Sequence, residues 1–232
     1  MLDPSQIRAV TLDLDDTLWP IWPTIHRAEE VLLLWLREHA PQTAQVFSSP
    51  QALRKIREQV GLERPDWKHD LCALRRESIR RALLQAGDDE NLAIPAFEIF
   101  FAERQRVQLF DDALPALEFL AARWPVVAIT NGNADVNTIG IGHFFQDSFN
   151  VLRTGAAKPD ARIFECAAQA LNVPMHSILH VGDDAHLDAA AAQAVGMQAV
   201  WLNRSGVEWM SVEVPQPVTV HNLQQLCEKL GS

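Results

Sequence analysis

Four short and mainly apolar runs, each followed at once by polar residues, recur along this chain. Runs of this length are typical of strands buried on both faces of a parallel sheet. The sequence therefore predicts four such strands. They are Ala9–Leu12, Val126–Ile129, Ser177–Val181 and Ala199–Leu202.

Helical patterns lie between these strands, at Leu114–Arg123, Asp160–Leu171 and Leu187–Val195. The alternation of strand and helix predicts an α/β fold with a doubly wound, Rossmann-like parallel sheet. In such sheets ligands bind beyond the carboxyl ends of the strands. The polar residues that follow the four strands should therefore meet in one crevice.

One long stretch, residues 19–109, breaks this alternation because its pattern is helical throughout. We expect it to form an inserted four-helix domain, with a catalytic core built from residues 1–18 and 110–232. The predicted helices are Thr24–His39, Ser49–Val60, Asp66–Gln85 and Asn91–Gln108.

Composition narrows the classes of function. The 232 residues include 20 Lys and Arg against 30 Asp and Glu, and the net charge of −10 disfavours binding to nucleic acid or anionic membranes. The N-terminal segment lacks the pattern of a secretory signal, and no apolar run is long enough to span a bilayer. Three widely separated cysteines suit reduced thiols. We expect a cytoplasmic protein that acts on a small molecule.

Two carboxylates, Asp13 and Asp15, directly follow the first predicted strand. Residues two apart on an extended chain face the same side, so both can face one pocket. Close carboxylates suit a cation or acid/base catalysis, although a solvated acidic turn has the same sequence.

Further candidates follow the second and third strands. Thr130 and Asn131 can present a hydroxyl and backbone N–H groups to a phosphate, or simply form a strand-to-helix turn. Lys158 is a potential phosphate cation, while Asp183 can complete a hard-cation site with Asp13. The neighbouring Asp184 and Asp188 can instead cap the next helix.

Taken together, these segments resemble the haloacid dehalogenase superfamily, whose ordered signature is DxDxT, Thr or Ser, Lys, and GDxxxxD. Asp13, Thr130, Lys158 and Asp183 occupy the four anchoring positions in that order. The helical insert resembles the family's C1 cap, which closes over the pocket and selects the leaving group.

The resemblance implies a phosphatase. Asp13 would attack phosphorus, and Asp15 would protonate the leaving alcohol and later activate water. Mg²⁺ would be bound by the Asp13 and Asp183 carboxylates and the Asp15 backbone carbonyl, while Thr130, Asn131 and Lys158 would bind the phosphate. A phosphomutase of the same fold, a metal-independent dehalogenase and a catalytically silent binding module are the alternatives.

A narrower resemblance is to bacterial flavin-nucleotide phosphatases, carried mainly by Thr11–Leu18, Trp124–Asn133 and Ile178–Asp184. It implies FMN or 5-amino-6-(5-phospho-D-ribitylamino)uracil as substrate, in riboflavin metabolism, with other nucleotide or sugar phosphates as alternatives. Trp19 and Trp22 can stack on a flat ring or simply pack.

Two further sets of residues are interpreted as structural. We expect His180, inside a strand, to be a core residue with a hydrogen-bonded ring nitrogen. Four arginines on one predicted helix should form a solvated face. They are Arg75, Arg76, Arg80 and Arg81.

Overall fold

The chain consists of two compact units. A computed structural model describes residues 2–210 and 214–231. The core unit combines residues 1–20 with residues 108–232, and the helical unit is Ile21–Val107. Each unit has its own elements and its own buried residues, so each is described separately.

The helical unit contains five α-helices. The residues that begin and end them follow familiar rules: Ser49 and Asp70 each accept a hydrogen bond from a backbone N–H of the first turn, and Gly87 ends a helix at φ 86°. A six-residue helix that begins at Pro41 was not predicted, because it is too short to show a period. The helices are α1 (Ile21–His39), α2 (Pro41–Val46), α3 (Pro50–Glu63), α4 (Leu71–Ala86) and α5 (Ala93–Arg104).

One prediction for this unit was wrong. Arg75 does not lie on a solvated face: it is 4% exposed, its guanidinium lies 4.0 Å from the ring centre of Phe100, and it pairs with the buried Glu29. The α4 face that carries Arg75 packs inward, where the buried guanidinium is paired with a carboxylate and also attracted to the Phe100 ring. Arg80 and Arg81 pair with Glu77 in more exposed positions.

The core unit is built on a six-stranded parallel sheet with the order β3-β2-β1-β4-β5-β6. The four predicted strands occupy the centre, so the predicted fold class is confirmed. The two edge strands were missed because they are three residues long and partly polar. The strands are β1 (Ala9–Leu12), β2 (Val126–Ile129), β3 (Asp147–Phe149), β4 (Ile178–Gly182), β5 (Gln198–Leu202) and β6 (Val218–Val220).

The register of the sheet positions the polar residues. Leu12, the last residue of β1, lies opposite Ala128 of β2 and Val181 of β4. All three strands run in the same direction, so the residues after them emerge at one edge of the sheet.

Helices flank this sheet along the chain. Between β4 and β5 the chain first forms a π-helical segment, Ala185–Ala190, where a regular α-helix was predicted. The described residues include no helix that is both long enough and apolar enough to cross a membrane. The core helices are α6 (Ala113–Ala121), α7 (Val136–Ile139), α8 (Val151–Thr154), α9 (Ala161–Leu171), α10 (Ala191–Ala194) and α11 (Leu223–Leu230).

Candidate active site

Asp13 stands at the end of β1 with its carboxylate fixed by two donors. Its backbone N–H continues the sheet by donating to the Val181 carbonyl at 3.0 Å, and the residue is only 6% exposed. Lys158 Nζ donates to one carboxylate oxygen at 2.5 Å, and Thr17 Oγ1 donates to the other at 3.3 Å. Both oxygens therefore have defined positions.

Lys158 is held in place through its backbone and through its ammonium group. Its backbone N–H and carbonyl make reciprocal hydrogen bonds of 2.8 and 2.9 Å with the side-chain amide of Asn131. Its Nζ, buried with the rest of the residue, contacts Asp188 Oδ1 at 2.5 Å as well as Asp13. Asn131 thus joins the turn after β2 to the loop that carries the lysine.

Asp188 is the partner that holds the lysine from behind. Its Oδ1 also contacts His180 Nε2 at 3.1 Å, and its Oδ2 accepts the Asp184 N–H at 3.0 Å. His180 in turn contacts Thr11 Oγ1 through Nδ1 at 2.8 Å. The expectation of a hydrogen-bonded core histidine is confirmed, but its connection to Lys158 through Asp188 was not anticipated. No local sequence signal marks such a connection.

The backbone at Gly182 makes room for Asp188. A Cβ atom at position 182 would lie 2.3 Å from Asp188 Cγ and 2.4 Å from its Oδ2. Glycine is needed here because of this close approach and not because of its backbone angles.

Thr17 lies between the carboxylates of Asp13, after β1, and Asp183, after β4. Its hydroxyl lies 3.1 Å from Asp183 Oδ1 and 3.3 Å from Asp13 Oδ2. The Asp183 backbone is fixed by Trp201, whose indole N–H donates to its carbonyl at 2.8 Å. Thr17 was predicted only as part of the signature and not as a site residue, although its spacing of four from Asp13 was the available signal.

Asp15 and Asp184 have separate environments. The Asp15 carboxylate accepts a hydrogen bond of 2.8 Å from the indole N–H of the fully buried Trp19, which fixes its orientation. Asp184 caps the π-helical segment by accepting the N–H groups of His186 and Leu187, both at 2.8 Å. The capping alternative holds for Asp184.

Thr130 directly follows β2 in a buried position. Its hydroxyl accepts the Gly132 N–H at 2.9 Å, so it organises the turn after the strand. The structure thus brings together Asp13, Lys158 and Asp183, with Asn131 attached through its bonds to Lys158. Thr130 leads into the same turn.

Burial and charge shift the proton affinities of these groups. Burial raises the pKa of Asp13 well above its usual value, opposed by Lys158, and raises that of Asp183 to about 7. Burial also acts to raise the pKa of Asp188, but Lys158 and His180 reverse the effect and hold it below its usual value. Burial acts to lower the pKa of Lys158, but the carboxylates of Asp13 and Asp188 outweigh this effect and raise the pKa above its usual value. The ion pair of Lys158 with Asp188 is therefore maintained.

The donor set fits a hard divalent cation. Among the described residues, carboxylate oxygens of Asp13, Asp183 and Asp188 lie within 4.8 Å of one another. Three carboxylates face one lysine here, and burial, reinforced by the neighbouring carboxylates, raises the pKa values of Asp13 and Asp183. Within this cluster, Asp188 already binds Lys158, His180 and the Asp184 amide through its two oxygens.

Comparison with known proteins decides the family. Residues 7–196 match the family described as haloacid dehalogenase-like hydrolase. This chain belongs to that family. The hydrolase is 37% identical over 202 residues to the 5-amino-6-(5-phospho-D-ribitylamino)uracil phosphatase YigB of Escherichia coli (strain K12), covering 85% of this chain and 84% of the relative. It is 32% identical over 136 residues to a phosphoserine phosphatase of Thermus thermophilus, covering 56% and 55% of the two chains.

Among solved structures, the hydrolase is similar to a 2-haloacid dehalogenase from Pseudomonas syringae pv. Tomato DC3000. The TM-score is 0.88, with 40% identity over 97% of this chain and 98% of the other. The family resemblance derived from the motifs and the predicted enzyme class, a phosphoric monoester hydrolase, are both confirmed.

Proposed function

We propose that this hydrolase is a Mg²⁺-dependent phosphatase that cleaves a small-molecule phosphate monoester through a phosphoaspartyl intermediate on Asp13. One observation carries the proposal. The buried Asp13 carboxylate is held by Lys158 on one oxygen and by Thr17 on the other, within reach of Asp183. A carboxylate fixed in this way is positioned for attack and loses little freedom when it reacts.

In the first half of the reaction, an Asp13 oxygen forms a bond to phosphorus while the bond from phosphorus to the ester oxygen breaks. Asp15 gives a proton to the departing alkoxide. In the second half, Asp15 takes a proton from water, whose oxygen attacks the phosphoaspartate and releases inorganic phosphate and free Asp13. Trp19 supports this role because it fixes the Asp15 carboxylate without removing it from solvent.

The cation would be held by the carboxylates of Asp13 and Asp183, with the Asp15 backbone carbonyl as the third protein ligand expected from the family resemblance. When bound, Mg²⁺ supplies positive charge that offsets the repulsion between the Asp13 carboxylate and the phosphate ester. Lys158 supplies further positive charge at the same place, and Asp188 with His180 keeps that lysine protonated and aimed.

The phosphoryl group would be oriented by the segments that follow β2 and carry Lys158. Thr130 would offer its hydroxyl, and Asn131 would offer its backbone N–H because its side chain is engaged with Lys158. We further propose that the helical unit, residues 21–107, is a cap that selects the leaving group. This assignment rests on the family resemblance.

For the substrate, we propose FMN or 5-amino-6-(5-phospho-D-ribitylamino)uracil. The support is the 37% identity to the Escherichia coli phosphatase together with the resemblance of the motif segments to flavin-nucleotide phosphatases. Both molecules carry a flat ring system. In the helical unit, Trp22 is 59% exposed and lies beside Arg54, so it offers a surface on which such a ring can stack.

Phosphate release tests the proposal directly. The purified enzyme is incubated with FMN, the ribitylaminouracil phosphate, p-nitrophenyl phosphate, nucleotides and sugar phosphates, with Mg²⁺ or with EDTA. We expect release that requires Mg²⁺ and is abolished by Asp13→Asn. Conversion of a hexose 1-phosphate to its 6-phosphate without release of phosphate would indicate a phosphomutase instead.

A second candidate function, dehalogenation, is favoured by the 40% identity to a protein described as a 2-haloacid dehalogenase. Against it stand Asp15 and Asp183, which a dehalogenase reaction without metal does not require. Halide release from 2-chloropropionate in EDTA, without phosphatase activity, would establish this alternative and refute the phosphatase.

A further inference from the structure

Arg204 lies in the loop after β5, outside every motif discussed above. The loop is held rigid by Asn203, whose side-chain amide makes reciprocal hydrogen bonds of 2.8 and 3.1 Å with the Val207 backbone. The Asn203 backbone N–H donates to the Val220 carbonyl at 2.8 Å. The position from which the Arg204 side chain extends is therefore well defined.

The Arg204 guanidinium makes three kinds of contact at once. It forms a two-point ion pair with Asp112, at 2.9 and 3.1 Å, and it lies 4.0 Å from the ring centre of Phe110. It also donates to the Thr17 backbone carbonyl at 3.0 Å. Asp112 is itself fixed, because it accepts the Leu223 N–H at 2.6 Å. The guanidinium group is thus fixed by the Phe110 ring and the Asp112 carboxylate while it donates a hydrogen bond to the Thr17 carbonyl.

The carbonyl that Arg204 holds belongs to a residue of the candidate active site. The Thr17 hydroxyl lies 3.3 Å from Asp13 Oδ2 and 3.1 Å from Asp183 Oδ1. A shift of the Thr17 backbone therefore moves a hydroxyl that is in contact with both carboxylates. We propose that Arg204 is a positioning residue that fixes Thr17, and through it the relative placement of Asp13 and Asp183. The inference rests on the proposed function.

Arginine is suited to this task for a geometric reason. Its five N–H donors lie in one plane, so it can bind a carboxylate at two points, stack on a ring and still donate to a carbonyl. A lysine in the same place keeps the charge but cannot maintain the paired contacts. Arg204→Lys should therefore restore part of the function that Arg204→Met removes.

The chain contains a matched control. Arg153 pairs with a carboxylate (Asp147), donates to a backbone carbonyl (Ser148, 2.9 Å) and lies 4.3 Å from a ring centre (Phe149), which are the same three kinds of contact. None of these partners touches Thr17, Asp13 or Asp183 in the contacts described above. Arg153→Met therefore removes an arginine with the same kinds of contact, in a more exposed position, without a direct effect on Thr17.

The experiment compares Arg204→Met, Arg204→Lys and Arg153→Met with the wild-type enzyme. With p-nitrophenyl phosphate we expect Arg204→Met to lower kcat about 10-fold to 100-fold, as is typical when a group that orients a metal ligand is removed. KM should change little, and the Mg²⁺ concentration for half-saturation should rise. Arg204→Lys should fall in between, and Arg153→Met should match the wild type.

A readout without turnover keeps the two proposals distinct. Hydrogen exchange followed by mass spectrometry, without Mg²⁺, should show faster exchange in peptides covering residues 13–18 for Arg204→Met than for Arg153→Met. Equal exchange there, or an unchanged Mg²⁺ half-saturation together with lower stability, would overturn the positioning role. Failure of the wild-type enzyme to release phosphate would refute the proposed function alone, because the exchange comparison does not depend on it.

Discussion

Replacing Gly182 by alanine adds one methyl group at a crowded point beside the Asp188 side chain. The new Cβ would lie 2.3 Å from Asp188 Cγ, whereas nonbonded carbon atoms normally rest about 3.5–4.0 Å apart. The Asp188 side chain must therefore move by more than about 1 Å. Its contacts with Lys158, His180 and the Asp184 amide, at 2.5, 3.1 and 3.0 Å, cannot all survive such a shift.

The magnitude follows from these contacts. Overpacking of a closely packed site costs about 1–3 kcal/mol. Loss of one hydrogen bond to the charged Asp188 adds about 1.5–3 kcal/mol. We expect Gly182→Ala to lower the free energy of unfolding by about 2–5 kcal/mol, part of the strain being relieved by local adjustment. Because Lys158 is displaced with Asp188, kcat should fall about 10-fold to 100-fold.

Urea unfolding and steady-state phosphatase kinetics measure the two effects. The control is Gly61→Ala in α3, where the new Cβ has no atom within 4 Å. That change should stabilise the helical unit by about 0.5–1 kcal/mol, because alanine is the better helix former, and should leave kcat unaltered. The comparison separates a clash from the general effect of replacing glycine.

A double mutant tests the cause of the effect. The three atoms nearest to the new methyl group all belong to the Asp188 side chain, and an Asp188→Gly background removes them. Gly182→Ala should then cost much less than it does in the wild type. If the cost is the same in both backgrounds, or if Gly182→Ala keeps the wild-type kcat, the reasoning from close packing is refuted.

Three further predictions concern the carboxylates. Asp183→Asn should weaken Mg²⁺ binding more than Asp188→Asn, because Asp188 is occupied by Lys158; calorimetric titration giving the reverse order would contradict this. Asp15→Asn should slow hydrolysis of the phosphoenzyme more than formation of the phosphoenzyme from p-nitrophenyl phosphate, because the nitrophenolate leaving group needs little protonation. A burst of nitrophenolate is therefore expected, and absence of the burst would argue against the acid/base role of Asp15. In EDTA, urea unfolding should show stability rising as the pH falls from about 8 to about 6.5, below which the lowered pKa of the buried His180 acts in the opposite direction. The pKa of Asp183 is about 7 in the folded state against 3.8 normally, so this contribution is complete below 3.8 and lost as the pH rises through 7. A stability that does not change over this pH range would contradict the assignment.

Much of the fold could be predicted from local pattern. The central strands are apolar runs bounded by polar residues, and such runs need two buried faces wherever they occur. The edge strands Asp147–Phe149 and Val218–Val220 are three residues long, and their strand character comes from pairing with β2 and β5. A local sequence pattern cannot predict these strands, because they are strands only through pairing with a neighbouring strand.

The site shows the same division. Asp13, Thr130 and Asp183 could be selected because they follow predicted strands, whereas Lys158 was selected through its place in the family's ordered signature. The burial of Arg75 could not be predicted, because the helical period indicates which residues share a face but not which face packs inward.

The amino-acid sequence by itself determined the parallel α/β class, and it predicted a helical insert and the end of the sheet at which the candidate site residues lie. The tertiary structure decided which of those side chains touch. Lys158 reaches Asp13 across 145 positions of the chain, and Arg204 reaches the Thr17 carbonyl across 187. Such contacts depend on strand register and loop geometry over long separations, whereas a local pattern reports only the residues within one element.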